Sequence, residues 1–141
     1  MQIKKETTYR LVATIIAVVV AIFSYTTSYS QQKGDVFITI SKYIQKGDYE
    51  KISLWFADNI EIELLGDQIS CSNHQATHIL KNFFANHQPQ SFKMLHKSGN
   101  PNMRYAIGEL QCVNGEGYKI IILMRNLQNS SAIVRLRIEK D

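Results

Sequence analysis

The sequence has few of the residues that cross-link or stiffen a chain, with 2 cysteines, 2 prolines and 7 glycines in 141 residues. Two cysteines cannot build the dense disulfide framework on which very small secreted domains depend. The 45% hydrophobic and 20% charged residues are ordinary for a globular protein, which excludes a disordered or fibrous chain. We therefore expect a single globular domain that is stabilised by its apolar core.

The N-terminal apolar run is too short to span a membrane. It covers residues 11–23, whereas crossing the hydrocarbon layer takes roughly 20 apolar residues. Lys4, Lys5 and Arg10 precede the run, and Ser28-Tyr29-Ser30 supplies the small residues that a signal peptidase recognises. We predict a signal peptide over residues 1–30, cleaved after Ser30, with an uncleaved anchor as the alternative. The mature chain, residues 31–141, is then exported, periplasmic or secreted, and meets the membrane only before cleavage.

The sequence also lacks a strong excess of charge. The predicted signal removes three basic residues and one acid from the 16 and 12 of the whole chain, which leaves a net charge of +2. A nucleic-acid-binding surface needs clustered Lys and Arg along one face. We therefore expect no nucleic-acid partner.

Helix signals begin at the start of the predicted domain. Asp35 is a good N-cap for a helix over Val36–Lys46, and Asp48 caps a second, shorter helix through Trp55. Ser72 and Gln75 form a capping box for a third helix that runs to about Asn86. Between the last two helices, apolar and polar residues alternate over 60–64 and 68–71, which indicates two short strands.

The sequence pattern predicts four strands in the C-terminal half. The predicted ranges are Ser91–Lys97, Met103–Val113, Gly117–Asn126 and Ala132–Lys140. Asn114-Gly115 indicates a hairpin loop of two or four residues, and either length gives the same side-chain parity. With that loop, Tyr105, Glu109 and Tyr118 lie on the same face of the sheet, and we assign this bulkier face to the core. The expected fold is α+β, with N-terminal helices packed on a curved, mostly antiparallel sheet of about six strands.

Several short motifs carry a family resemblance. The segment from Gly47-Asp48-Tyr49 to Phe56–Ile62 resembles the helix-to-first-strand region of the nuclear transport factor two-like superfamily. Trp55-Phe56-Ala57, Ser91-Phe92-Lys93, Arg104–Gly108 and Arg137-Ile138-Glu139 more closely resemble a family of uncharacterised exported bacterial proteins within it. The resemblance implies a cone-shaped cavity between the helices and the sheet, and the sequence leaves open whether Phe83, Phe84, Phe92 and Trp55 fill it. The superfamily includes enzymes, transport adaptors and binding modules, so the fold does not determine a function.

Three functions follow from this reading. The first is a non-catalytic exported module that binds a small apolar ligand or a protein partner, with no cofactor. The second is an acid-base isomerase or dehydratase, in which Glu109 is the base and Tyr105 donates a hydrogen bond to a developing oxyanion; the alternative for Glu109 is a residue at the sheet edge near the turn, with its carboxylate in water. The third is an envelope protein-protein adaptor. Candidate ligand-binding residues are Trp55, Phe84, His87, Tyr105, Glu109 and Tyr118.

Other conspicuous residues have simpler interpretations. His74 and His78 have the spacing of a metal-binding helix, but Gln75 stands where a zinc protease has its catalytic glutamate, so no metal site is expected. His87 and His96 are expected to be buried. Cys71 and Cys112 are read as free, buried thiols, with a disulfide as the alternative.

The face opposite the core has the composition of an interface. We assign to it Ala106, Gly108, Leu110, Ile121 and Leu123, with Arg104, Lys119 and Arg125 around them. An apolar centre inside a charged rim is typical of a protein-protein contact. The sequence therefore predicts a homodimer through the outer sheet face.

Overall fold

The computed structural model describes residues 10, 12, 13, 15, 16, 34–128 and 130–141. The chain divides into two units, Met1–Lys33 and Gly34–Asp141. The predicted signal peptide belongs to the first unit, of which five residues are described, all helical, and its cleavage site after Ser30 lies outside the described residues. No helix within the described ranges is long and apolar enough to cross a membrane.

The Gly34–Asp141 unit has three helices, and each begins where its capping residue indicates. They are α1 (Val36–Lys46), α2 (Tyr49–Ser53) and α3 (Asn73–Asn86). Asp35 accepts a hydrogen bond from the Phe37 amide at the start of α1, and Gly47, with φ of 65°, ends that helix. The capping box predicted at Ser72 is present at the start of α3. α2 ends two residues before Trp55, so it is shorter than predicted.

Six strands form one open sheet. They are β1 (Phe56–Leu64), β2 (Asp67–Ser72), β3 (Pro89–Gly99), β4 (Met103–Cys112), β5 (Gly117–Leu127) and β6 (Ser130–Lys140). Their order is β2-β1-β6-β5-β4-β3, and every neighbouring pair is antiparallel except β1 and β6. The α+β class and the six-stranded, mostly antiparallel sheet are therefore confirmed. β2 and β3 are the two edge strands.

The core lies between the helices and the inner sheet face. Phe37, Ile40 and Ile44 from α1 are buried, as are Phe83 and Phe84 from α3. The sheet contributes alternating residues, of which the largest include Tyr118, Ile120, Ile122, Ile133 and Ile138. No polar or charged residue among those described is buried, so the interior is apolar throughout.

The β4–β5 hairpin differs from the prediction by one residue. The Cys112 amide donates to the Glu116 carbonyl at 2.9 Å, and the Gly115 amide donates to the Cys112 carbonyl at 3.0 Å. The loop is therefore residues 113–115, with Gly115 at a φ of 85° and Asn114 at a negative φ. This is the three-residue hairpin that ends in a left-handed residue, rather than a loop of two or four.

The extra loop residue reverses the faces of β4. Leu110 lies opposite Tyr118 and Gly108 opposite Ile120, so Ala106, Gly108 and Leu110 point into the core. The prediction was right for β5 and wrong for β4, because a shift of one residue moves every side chain of a strand to the other face.

Candidate functional site

The expected cone is filled. Between the helices and the inner sheet face, the described residues leave a space of about 10 Å³, which is close to the minimum that holds one water molecule. All of its lining residues are apolar, so it offers no hydrogen bond to a ligand or a water molecule. They are Ile44, Ile52, Leu80, Phe84, Ile120, Ile122, Ile133, Leu136 and Ile138.

A polar cluster stands at the hairpin end of the sheet, centred on the Glu116 carboxylate. Oε2 accepts hydrogen bonds from the Tyr118 hydroxyl at 2.7 Å and from the Asn114 amide at 2.9 Å. His87 Nδ1 lies 3.0 Å from the same oxygen, and Lys140 Nζ donates to Oε1 at 3.0 Å. Four side chains therefore converge on one carboxylate.

Local structure places each member of this cluster. His87 follows the last turn of α3, where its amide donates to the Phe83 carbonyl at 2.8 Å. Its ring is 4.8 Å from the Phe83 ring and 5.0 Å from the Tyr118 ring, measured between centroids. Glu116 directly follows the three-residue loop, and its amide donates to the Asn114 side chain at 3.0 Å. The hairpin geometry thus brings the carboxylate to the end of α3.

The hydrogen bonds fix the charge state of two members. Donation from Tyr118, Lys140 and Asn114 lowers the pKa of Glu116 to about 2, so this carboxylate is ionised at neutral pH. Burial is the larger cause, and the neighbouring carboxylate the smaller one, that raises the pKa of Tyr118 to about 12. The hydroxyl therefore stays protonated and donates a hydrogen bond to Glu116.

The tautomer of His87 follows from this arrangement. Its Nδ1 faces two acceptors, the Glu116 carboxylate at 3.0 Å and the Tyr118 hydroxyl oxygen at 2.9 Å. Nδ1 must therefore carry a proton, and in the neutral ring the lone pair lies on Nε2. The side chain is 22% exposed. Chemically, the cluster holds an oriented imidazole at the surface and ties α3 to the hairpin.

Glu109 and Tyr105 lie elsewhere. Both are half-buried on the outer sheet face, because the hairpin reverses the faces of β4. Glu109 is opposite Lys119 on β5 and Lys93 on β3, so its neighbours across the strands are cations and not the apolar wall that was expected. The prediction that these residues line the interior was wrong. The proposed roles of Glu109 as a base and Tyr105 as a hydrogen-bond donor required a desolvated environment, which the outer face does not provide.

The remaining candidate ligand residues are divided between the core and the cluster. Phe84 is buried and lines the 10 Å³ space, and Trp55 packs partly buried against the core. His87 and Tyr118 meet in the polar cluster. Sequence reasoning missed Glu116, because the residue after Asn-Gly was read as part of a turn; the alternation of Glu116 with Tyr118 was the available signal.

The histidine pair of α3 is exposed. The rings of His74 and His78 are 4.7 Å apart, beside a groove of about 440 Å³ that Tyr49, Glu50 and Lys81 also line. Within the described part of the chain, no three His, Cys, Asp or Glu side chains are grouped closely enough to hold a metal ion.

The other three conspicuous residues lie apart from these features. His96 is exposed, contrary to the prediction that it is buried. Cys71 and Cys112 are buried free thiols on β2 and β4, which three other strands separate in the sheet order.

A second groove, of about 270 Å³, lies between α1 and β3. Phe37, Ile38 and Ser41 line it from the helix, and residues 94–97 line it from the strand. Unlike the interior, this groove is open at the surface, and it runs beside an edge of the sheet.

Comparison with known proteins gives the family and the fold. A family described as "Domain of unknown function (DUF4783)" matches residues 37–139. Solved DUF4783 proteins from Bacteroides ovatus and Bacteroides fragilis are 20% and 22% identical, with TM-scores of 0.69 and 0.68. Each covers 72% of this chain, and 92% and 95% of the respective solved chain.

A more distant structure has the same fold. An NTF2-like protein of unknown function from Cytophaga hutchinsonii is 9% identical, with a TM-score of 0.54, over 76% of this chain and 88% of that one. No curated protein matches the chain.

Proposed function

This chain belongs to the DUF4783 family, and from the geometry of its domain we propose that it is an exported, non-catalytic module that binds protein rather than a small molecule. The observation that carries the proposal is the filled interior. Small-molecule sites are clefts of roughly 300–1,000 Å³ that combine apolar walls with a few polar groups. The interior has about 10 Å³ and only apolar walls, and the groove of about 440 Å³ beside His74 and His78 is wide open to solvent, so it would not enclose a small molecule.

The outer sheet face supports a protein contact. Tyr105 lies opposite Leu123, and Ile107 lies opposite Ile121, so two cross-strand pairs form an apolar centre. All four side chains are half-buried. This centre, together with its surrounding charges, is the outer-face patch referred to below.

Paired charges border the outer-face patch. Arg135 is beside Leu123 on β6 and pairs with Glu61 at 2.9 Å, and Arg137 pairs with Glu63 at 3.1 Å. Apolar centres with charged rims are typical of interfaces. We propose that this patch forms a homodimer, since a two-fold contact brings the same apolar centre from each copy together.

The dimer is tested by light scattering on residues 31–141, which contain the whole core. We expect a dimer at micromolar concentrations, a monomer for Leu123→Glu, and an unchanged dimer for Ile69→Glu on edge strand β2. Circular dichroism checks that both variants are folded. A wild-type monomer would remove the dimer from the proposal.

The choice between protein and small molecule is tested by native mass spectrometry of the protein purified from its exported fraction. The proposal predicts the mass of the mature chain, after cleavage at Ser30, with no retained compound. A stoichiometric small molecule that persists in the folded protein and is lost on denaturation would contradict it. A mass that includes residues 1–30 would contradict the cleaved signal.

A further inference from the structure

The groove between α1 and β3 exposes apolar side chains beside a free sheet edge. Ile38 is 53% exposed and Leu95 is 45% exposed, and they flank the groove from its two sides. β3 pairs with β4 on one side and is the last strand on the other. Among the described residues, no strand pairs with the backbone N–H and C=O groups along its other side, which makes it a template for an added strand.

The register of β3 shows how an added strand would place its side chains. Met94 lies opposite Gly108, and His96 lies opposite Ile107, so the strand has a bulge at Leu95. Phe92 and Met94 point to the inner face, where α1 packs, and Lys93 points to the outer face beside Glu109. A neighbouring strand would therefore meet apolar side chains on the inner side and, on the outer side, Lys93, whose cross-strand neighbour is Glu109.

The two elements that border the groove, α1 and β3, carry a net positive charge, although Lys97 is the only charged residue among those described that lines the groove itself. α1 and β3 contain Lys42, Lys46, Lys93 and Lys97, and neither element contains an Asp or Glu. The nearest acid along the chain, Asp35, pairs with Lys97. Pairing two copies through β3 would bring lysines close to lysines, which is unfavourable. The charge therefore disfavours a second copy and favours an acidic segment.

We propose that the free edge of β3 binds an extended acidic segment of a partner protein as an additional strand. Its apolar side chains enter the groove between Ile38 and Leu95, and its carboxylates alternate with them on the outer side, beside Lys93. Backbone hydrogen bonds to an edge strand supply affinity, and pockets for alternate side chains supply specificity. This inference rests on the proposed protein-binding function and gives it a second surface, distinct from the outer-face patch.

The test is an NMR titration of residues 31–141 with a synthetic eight-residue peptide in which glutamate alternates with valine. We expect amide shift changes along β3 and at residues 37–41, and about tenfold weaker binding of the same peptide with lysine in place of glutamate. Raising the salt concentration should weaken the acidic peptide more than the lysine peptide. Equal binding of both peptides, shift changes on β2 or the outer-face patch, or no binding would overturn the inference.

Two variants and a matched control sharpen the test. Leu95→Glu should abolish binding of the acidic peptide, whereas Ile69→Glu, on the opposite edge at 48% exposure, should leave it unchanged. Lys93→Glu should reverse the preference between the acidic and lysine peptides, which a merely destabilised domain would not do. If the domain binds neither peptide but still dimerises through the outer-face patch, this inference is refuted and the proposed function stands.

Discussion

Truncating Ile122 to alanine should open a cavity in the filled interior. Ile122 is 1% exposed, and its neighbours across β4 and β6 are Ala106 and Leu136. Three buried carbons are removed, worth about 0.8 kcal/mol each. Because Ala106 is too small to fill the space, a cavity term of up to about 2 kcal/mol adds to the loss. We expect a total loss of about 3–4 kcal/mol from the free energy of unfolding.

Urea unfolding followed by circular dichroism measures this loss. The matched control is Ile69→Ala, the same substitution on edge strand β2, where the side chain is 48% exposed and lies outside the outer-face patch. It should cost about 1 kcal/mol. The Ile122→Ala variant should also be stabilised by dissolved xenon, because the three missing carbons leave a dry apolar cavity that can hold a xenon atom. A loss below about 1 kcal/mol for Ile122→Ala, or equal losses for both variants, would refute the reasoning.

Three further predictions concern the hairpin and the sheet. Since hydrogen bonds lower the pKa of Glu116 from 4.5 to about 2, its stabilisation is complete above pH 4.5 and is lost as the pH falls towards 2; Glu116→Gln should flatten that part of the acid unfolding curve. Gly108→Ala should cost about 1–3 kcal/mol in urea unfolding, because the new Cβ would lie 2.2 Å from Phe92 Cζ, and Phe92→Leu should recover part of the loss. Gly115→Ala should lower the free energy of unfolding by about 1–2 kcal/mol, because alanine is strained at this positive φ. The loss in urea unfolding should exceed that of Asn114→Ala, which removes only side-chain hydrogen bonds.

Local signals in the sequence were enough to predict most of the helices and strands. Asp35, Gly47 and the Ser72 capping box determine helix ends through contacts a few residues away, so they can be read without the fold. β1 was predicted from Ile60, yet it begins at Phe56, because a bulge after Phe56 interrupts the alternation on which the prediction relied. The parallel pairing of β1 with β6 joins distant parts of the chain and left no local pattern.

The candidate site was harder to predict, because it depends on the length of one loop. Asn-Gly indicated a hairpin correctly, but the loop has three residues, and only Gly115 takes a positive φ. Because of the one-residue difference in loop length, Glu109 lies on the outer face instead of in the core, and Glu116 lies beside His87. The two members that were named, His87 and Tyr118, could be identified from their places near apolar segments. Their shared partner could be found only once the register was known.

Xenon binding tests the central claim, that the interior is closed to ligands, most directly. A crystal of residues 31–141 pressurised with xenon should show no xenon atom between the helices and the inner sheet face of the wild-type protein. The same experiment on Ile122→Ala should show one beside the truncated side chain. An occupied xenon site in the wild-type interior would mean that the space exceeds the 10 Å³ found here, and it would contradict the account.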